Sequence, residues 1–138
     1  MKVLVDTCVW SLALRRNDGK DLPAVLELRE LIKEFRVQMT GPIRQELLSG
    51  IKDTIRYSQL REHLRAFADL PATTADYELA AEFFNLSRGK GIQGSNTDFL
   101  LCALSVRNDL PIFTTDNDFM LYQQQLPIKL HAVRADFP

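Results

Sequence analysis

The chain has 138 residues, 46% of them hydrophobic and 25% charged, enough for one ordinary globular domain with a sizeable core. Its net charge of −1 and pI of about 6.1 exclude a protein that coats nucleic acid by bulk charge, while leaving room for a local basic surface. The two cysteines, Cys8 and Cys102, form neither a CxxC pair nor a dense framework and read as small hydrophobes in a reducing compartment.

Lys2-Val3-Leu4-Val5 is a short β-branched run that stops at Asp6-Thr7, which predicts a buried strand delivering a carboxylate to its carboxyl end. Asp6 and Thr7 each also suit a cap on the helix expected over Val9 to Leu14. Asp6 and Arg15-Arg16 interrupt the apolar residues too early for a secretory signal. No stretch approaches the roughly 20 apolar residues of a membrane helix, so a soluble cytoplasmic protein without a membrane partner is expected. Asn17-Asp18-Gly19 marks a loop, and Pro23 opens a packing helix reaching to about Phe35. Val37-Gln38-Met39 predicts a brief strand, broken by Gly41-Pro42, after which Ile43, Leu47 and Leu48 share one face of a helix ending at Gly50. Glu46, three residues after Ile43, can point inward on that helix, although a helical Glu is usually solvated.

Ile55 to Phe67 reads as an amphipathic helix whose Arg56, Arg61, Glu62 and Arg65 form a solvated face. Pro71 breaks the chain, and Thr73 or Thr74 can cap a following helix that carries Tyr77, Leu79, Phe83, Phe84 and Leu86 to Arg88. Arg88-Gly89-Lys90-Gly91-Ile92-Gln93-Gly94 is a basic glycine loop without the Walker pattern, suited to phosphate approach or simply to the surface. From Phe99 to Val106 only Ser105 is polar, which predicts a helix buried in the middle of the domain, with Ser95 to Asp98 crowding its start and Asn108 available to cap its end. Leu110 to Thr114 then reads as a strand running into Thr115-Asp116-Asn117-Asp118, followed by a helix over Phe119 to Gln125 and a final strand at Lys129-Leu130-His131-Ala132.

Short strands separated by helical crossovers imply a three-layer α/β/α domain over residues 1–138, with a mainly parallel central sheet. In such a sheet all carboxyl ends share one edge, so Asp6, Asp116 and the Asp98 end of the buried helix can meet there. Each also has an ordinary role as a cap or turn residue. Carboxylates that converge repel one another and call for a compensating charge. Oxygen ligands without a cysteine or histidine cluster favour Mg²⁺ or Mn²⁺ over Zn²⁺, and His63 and His131 stand apart as structural or exposed residues. Mg²⁺ held by a few carboxylates bridges to phosphate, which makes phosphoryl transfer the natural chemistry.

The four fragments VLVDTCVW, GPIRQELLSG, NTDFLLCAL and FTTDNDF, in this order and spacing, resemble the signatures of PIN-domain ribonucleases, most closely the VapC-type toxins of prokaryotic toxin-antitoxin pairs. The resemblance spans nearly the whole chain and implies a PIN-like fold, with Asp6, Glu46, Asp98 and Asp116 as its acidic residues. It further implies Mg²⁺ or Mn²⁺ as cofactor, RNA as substrate, a VapB-like antitoxin as partner and a homodimer. Asp6 and Asp98 are then the foremost metal ligands, with Glu46 and Asp116 completing the catalytic set directly or through water. Thr7, Asn96 and Thr115 are candidates to support them, and Asp118 either joins the site or starts the last helix. Trp10 suits the core, a dimer contact or stacking on a base.

Removing the four acids turns the net charge from −1 to +3, and Arg15, Arg16, Lys20, Arg44, Lys52, Arg88 and Lys90 are candidate phosphate contacts or ordinary exposed cations. Other readings are a PIN-type nuclease of RNA maturation or decay without an antitoxin, a catalytically silent binding module, and a phosphoacceptor domain. The last expects paired acids at the first strand and a lysine after the last core strand, which Asp6-Thr7 and the turn after Phe113 do not match.

Overall fold

The computed structural model describes residues 1–15 and 22–134, so the turn expected at Asn17-Asp18-Gly19 lies outside the described residues, as do Arg16 and Lys20. Four strands, β1 (Val3–Val5), β2 (Val37–Thr40), β3 (Asp69–Leu70) and β4 (Ile112–Phe113), form one sheet in the order β3-β2-β1-β4. Every pairing is parallel: Val3 lies opposite Val37, Leu4 opposite Ile112 and Met39 opposite Asp69. Among the described residues the helices are α1 (Thr7–Leu14), α2 (Pro23–Lys33), α3 (Gly41–Leu48), α4 (Thr54–Leu64), α5 (Thr74–Gly89), α6 (Asn96–Asn108) and α7 (Asp118–Gln123). Successive residues of a strand point to opposite faces, yet Val3, Leu4 and Val5 are all at most 2% exposed. Both faces of the sheet are therefore covered, as the α/β reading of the sequence requires. No helix among the described residues is long and apolar enough to cross a membrane.

The apolar run in α6 does what its composition dictates, since Phe99 to Ser105 are all buried. Its one polar member, Ser105, bonds the carbonyl of Leu110 at 2.5 Å, so burial leaves no orphan hydroxyl. Ser95 caps the helix start by accepting from the Asp98 amide at 3.1 Å. The helix end differs from expectation: Asp109, in the left-handed region at φ 52°, terminates it, while Asn108 Nδ2 donates back to Leu104 within the last turn. Thr73, rather than Thr74, caps α5 and forms a reciprocal capping box with Asp76. Asp76 also accepts from Arg107 of α6 at 2.7 Å, which ties the two packed helices together.

Two strands depart from the pattern. Asp69 and Leu70 carry no β signature beside Pro71, and β3 was not foreseen; it is made by pairing with β2 and by Arg44, which bonds the Asp69 carboxylate and the carbonyls of Leu64 and Phe67. The expected strand at Lys129 to Ala132 contracts to a bridge between Leu130 and Ile112. Side-chain contacts hold the rest of it: Glu27 of α2, 0% exposed, accepts from Arg134 Nε at 2.8 Å and meets His131 Nε2 at 2.5 Å, and Arg134 also pairs with Glu34. His131 is thus a structural residue, and it lies against Phe113 of β4 with ring centroids 5.4 Å apart.

Burial raises the Glu27 pKa, but the bonds from Arg134 and His131 outweigh it and hold the carboxyl below its ordinary value. A depressed carboxylate contributes stability that is present above the unfolded pKa and lost as pH falls through the folded one. Glu27→Gln should therefore lower unfolding free energy by about 2 kcal/mol near neutrality, with the gap to wild type closing below about pH 4. Urea melts across pH check this, and an equal deficit at every pH would show that the charge of Glu27 contributes nothing.

Candidate functional site

The parallel sheet gathers side chains from elements far apart in sequence. Asp6 follows β1, Thr114 to Asp116 follow β4, and α3, carrying Glu46, follows β2, so all leave the sheet at the same edge. α6 runs back from that edge toward β4 and brings Asp98, in its first turn, to the same place. The dipole of α6 favours a negative charge there.

Asp6 is the most enclosed of the four, 8% exposed. Its Oδ1 accepts from the Thr7 amide at 2.8 Å and its Oδ2 from the Thr114 hydroxyl at 2.9 Å, with Cys8 Sγ 3.6 Å from Oδ2. Asp6 is therefore both the cap of α1 and a member of the acidic group, so the two readings of that residue coexist. Asp98 is half-buried, and its Oδ2 accepts from the Tyr122 hydroxyl at 2.8 Å. It occupies the same helical position as Asp76 but does not close a capping box, so its carboxylate points to the site and Ser95 does the capping. The Asp116 amide donates to the Thr114 hydroxyl oxygen at 3.0 Å, and Asp116 Oδ1 accepts from the Asp118 amide at 2.9 Å. Asp118 itself is exposed and begins α7. Glu46 lies on the exposed side of the group, beside a cleft of about 360 Å³ lined by Thr7, Gln45, Ser49 and Thr97.

The electrostatics record this convergence. Burial pushes the Asp6 pKa up against the bonds from Thr114, Thr7 and Cys8, and the charge on Asp116 adds to the rise. Asp98 is raised by burial against the Tyr122 bond, with Asp6 and Asp116 adding to it. Glu46 is raised by lost solvation and then by Asp6 and Asp98; the Thr7 hydroxyl, near it but outside hydrogen-bond geometry, opposes this weakly. The Cys102 thiol, buried within α6 one turn after Asp98, is pushed well up by burial and then by Asp98 and Asp6. Every ion pair resolved among the described residues lies elsewhere, so no cationic side chain is seen to offset the four carboxylates. The donor set, oxygen only and anionic, fits a hard divalent cation. Among the described residues no three Asp, Glu, His or Cys side chains stand close enough to ligate one ion directly. One or two direct carboxylates with the rest reached through water is the habit of Mg²⁺ and suits such spacing.

The comparisons with known proteins agree with this architecture. A sequence model of the PIN domain matches residues 3–123. The chain belongs to the PIN-domain family. Among solved structures, FitAcB from Neisseria gonorrhoeae matches with a TM-score of 0.75 at 21% identity, covering 94% of this chain and 96% of that one. VapBC2 from Rickettsia felis, bound to a DNA fragment from its promoter, gives a TM-score of 0.74 at 16% identity over 95% and 98%. FitAB bound to the IR36 DNA fragment gives 0.76 at 18% over 98% and 99%. At these identities the likeness speaks for the PIN fold. No curated protein sequence gave a match.

Several supporting residues differ from those expected. Of the two threonines before Asp116, Thr114 faces Asp6, while Thr115 contributes its amide, which donates to Cys8 Sγ at 3.3 Å. Period-two alternation from the buried pair Ile112-Phe113 does not separate them, because the strand ends there. Asn96 is exposed and lines the cleft between α5 and α6. Trp10, 4% exposed, packs edge-on against Phe67 in the core. Tyr122 and Cys8 were not foreseen; Tyr122 reaches Asp98 across 24 residues, and nothing in the sequence marks that contact. Burial and then the Asp98 bond push the Tyr122 phenol well up, so it keeps its proton as a donor.

Among the cations, Arg44 is committed to β3, and Arg88 lies 5.0 Å over the Phe84 ring. Arg15 lines a groove of about 550 Å³ that starts at Glu46 and runs between α1, α3 and α4 past Arg56, Gln59 and His63. The amphipathic pattern of the sequence marks Arg56 only as part of a solvated face.

The raised pKa values of Asp6, Glu46 and Asp98 mean that the folded protein holds extra protons between the unfolded and folded pKa values. The resulting penalty is absent below the unfolded pKa and grows as pH rises through it toward the folded one. Metal-free Asp98→Asn, with one repelling charge fewer, should melt no lower than metal-free wild type at pH 7. A strongly lowered melting temperature for the metal-free variant would make Asp98 a purely structural residue.

Proposed function

We propose that the protein is a Mg²⁺- or Mn²⁺-dependent endoribonuclease acting as the toxin of a VapBC-type toxin-antitoxin pair. The observation that carries the reading is the meeting of Asp6, Glu46, Asp98 and Asp116 from four separate elements at one sheet edge, with no partner cation resolved among the described residues. When bound, Mg²⁺ or Mn²⁺ supplies the charge that offsets these acids, draws a phosphodiester to them and lowers the cost of deprotonating water.

Asp6 and Asp98 are the foremost ligands: each has one oxygen oriented by a hydroxyl donor, and their remaining lone pairs would hold the cation. Glu46 and Asp116 complete the set directly or through water. Glu46, on the exposed side with a raised pKa, is suited to take a proton from the attacking water. Arg15 and Arg56 line the groove leading from Glu46, where they would hold phosphates of the RNA on either side of the cut. The toxin assignment is supported by the four sequence fragments that resemble those of VapC-type toxins and by the likeness in fold to the VapBC2 structure.

We further propose a homodimer. Tyr77, Ala81 and Phe84 of α5 and Leu100 of α6 line an apolar cleft of about 430 Å³, and Tyr77 is 57% exposed. We assign this cleft to a second copy and the acidic edge to an antitoxin segment whose arginine pairs with the acids.

Asp6→Asn and Asp98→Asn should each lower RNA cleavage by about 100-fold or more with the fold intact, and excess EDTA should abolish wild-type activity. Full activity in either variant, or in EDTA, contradicts the assignment. Light scattering should give a dimer at micromolar protein and a monomer for Ala81→Glu; a monomeric wild type rejects the dimer. Co-expression of a small DNA-binding protein encoded beside the gene should suppress toxicity, and unchanged toxicity and cleavage would leave a nuclease without an antitoxin.

A further inference from the structure

We infer that Tyr122 is a positioning residue for Asp98, and that Gly94 is required to let it act. The inference rests on the proposed metal-dependent reading of the four acids and names a part of that machinery lying outside them.

An aspartate carboxylate turns easily, because its last torsion joins an sp³ to an sp² carbon and has a broad, nearly twofold preference. Asp98 sits in the first turn of α6, where Ser95 fixes its backbone amide but leaves that torsion open. The Tyr122 hydroxyl closes it, donating to Oδ2 at 2.8 Å. Among the described residues Gln93 O, at 3.5 Å, is the only other acceptor for the one phenolic proton, and it is too distant to compete well. The ring carrying the hydroxyl is itself fixed. Tyr122 is 0% exposed and packs against Phe99 and Phe119, each with ring centroids 5.0 Å away. Phe99 is the residue next to Asp98, so the same aromatic cluster holds both ends of the bond.

The path of the hydroxyl to Asp98 runs over Gly94. A Cβ added there would overlap the Tyr122 hydroxyl and come within 2.9 Å of both Tyr122 Cζ and Phe99 Cε2. Gly94 has no positive φ, so its lack of a side chain serves close approach and not backbone freedom. The buried phenol, the ring cluster and the glycine thus form one device, and its only polar output is the orientation of Asp98. A donor that orients a ligand in this way typically changes metal affinity by 10- to 100-fold when removed.

The test uses the whole chain and Mn²⁺ itself, with binding read by electron paramagnetic resonance and activity read separately on RNA. Tyr122→Phe keeps the ring and its packing and removes the hydroxyl. Its half-saturating Mn²⁺ concentration should rise at least about 10-fold while its metal-free melting temperature stays close to wild type. Gly94→Ala should weaken Mn²⁺ binding in the same way, and the double variant should bind no worse than the weaker single one, because both changes break one bond. Unchanged Mn²⁺ affinity in Tyr122→Phe, beside a wild type that binds and cleaves, overturns this inference and leaves the acids' role intact. Strictly additive losses in the double variant overturn the part assigned to Gly94. A wild type that neither binds Mn²⁺ nor cleaves RNA overturns both the inference and the reading on which it rests.

Discussion

A carboxylate buried at the carboxyl end of the central strand is the constraint on which the rest of the structure depends. Asp6 is 8% exposed, and the desolvation of its charge is only partly offset by the Thr7 amide and the Thr114 hydroxyl. Thr114 reaches it because β4 pairs in parallel with β1, and β4 stands there because α6 crosses back under the sheet. The pairing that makes the core therefore also makes the acidic edge. Placing Asp98 and Asp116 beside Asp6 works against stability in the metal-free protein, which is the usual sign of a site retained for something other than folding.

Much of this was legible in the sequence because it depends on local pattern. A β-branched run ending in Asp6 predicts a strand that presents an acid, and an apolar stretch from Phe99 to Val106 predicts a central helix; both hold. The parallel order follows from alternation of strand and helix, and with it the single edge at which the acids meet. What escaped the sequence depends on tertiary contacts. β3 is two residues long and is held by Arg44 rather than by its own propensity, which also removes Arg44 from the cations open to RNA. The choice of Thr114 over Thr115 is fixed by where β4 ends. Tyr122 and Gly94 meet Asp98 only once α7 folds back on the start of α6, a contact with no periodic signature.

The chain spreads its stabilising polar contacts away from the acidic edge. Glu27 with His131 and Arg134 pins the segment after β4 to α2, and Asp76 with Thr73 and Arg107 pins α5 to α6. Both carboxylates are drawn below their ordinary pKa by partners that outweigh burial, whereas Asp6, Glu46 and Asp98 are driven above it. That contrast in sign separates Glu27 and Asp76, which hold elements together, from Asp6, Glu46 and Asp98 at the acidic edge. It is a physical discrimination that sequence position alone does not offer.

The central claim, that these acids together hold a divalent cation, is tested most directly by following amide resonances of the ¹⁵N-labelled protein as Mn²⁺ is added. The account predicts saturable paramagnetic broadening centred on the amides of Asp6, Thr7, Asp98 and Asp116, reversed by EDTA and lost in Asp6→Asn. Broadening that never saturates, or that centres on another acidic surface such as the Glu30 to Glu34 end of α2, would contradict it.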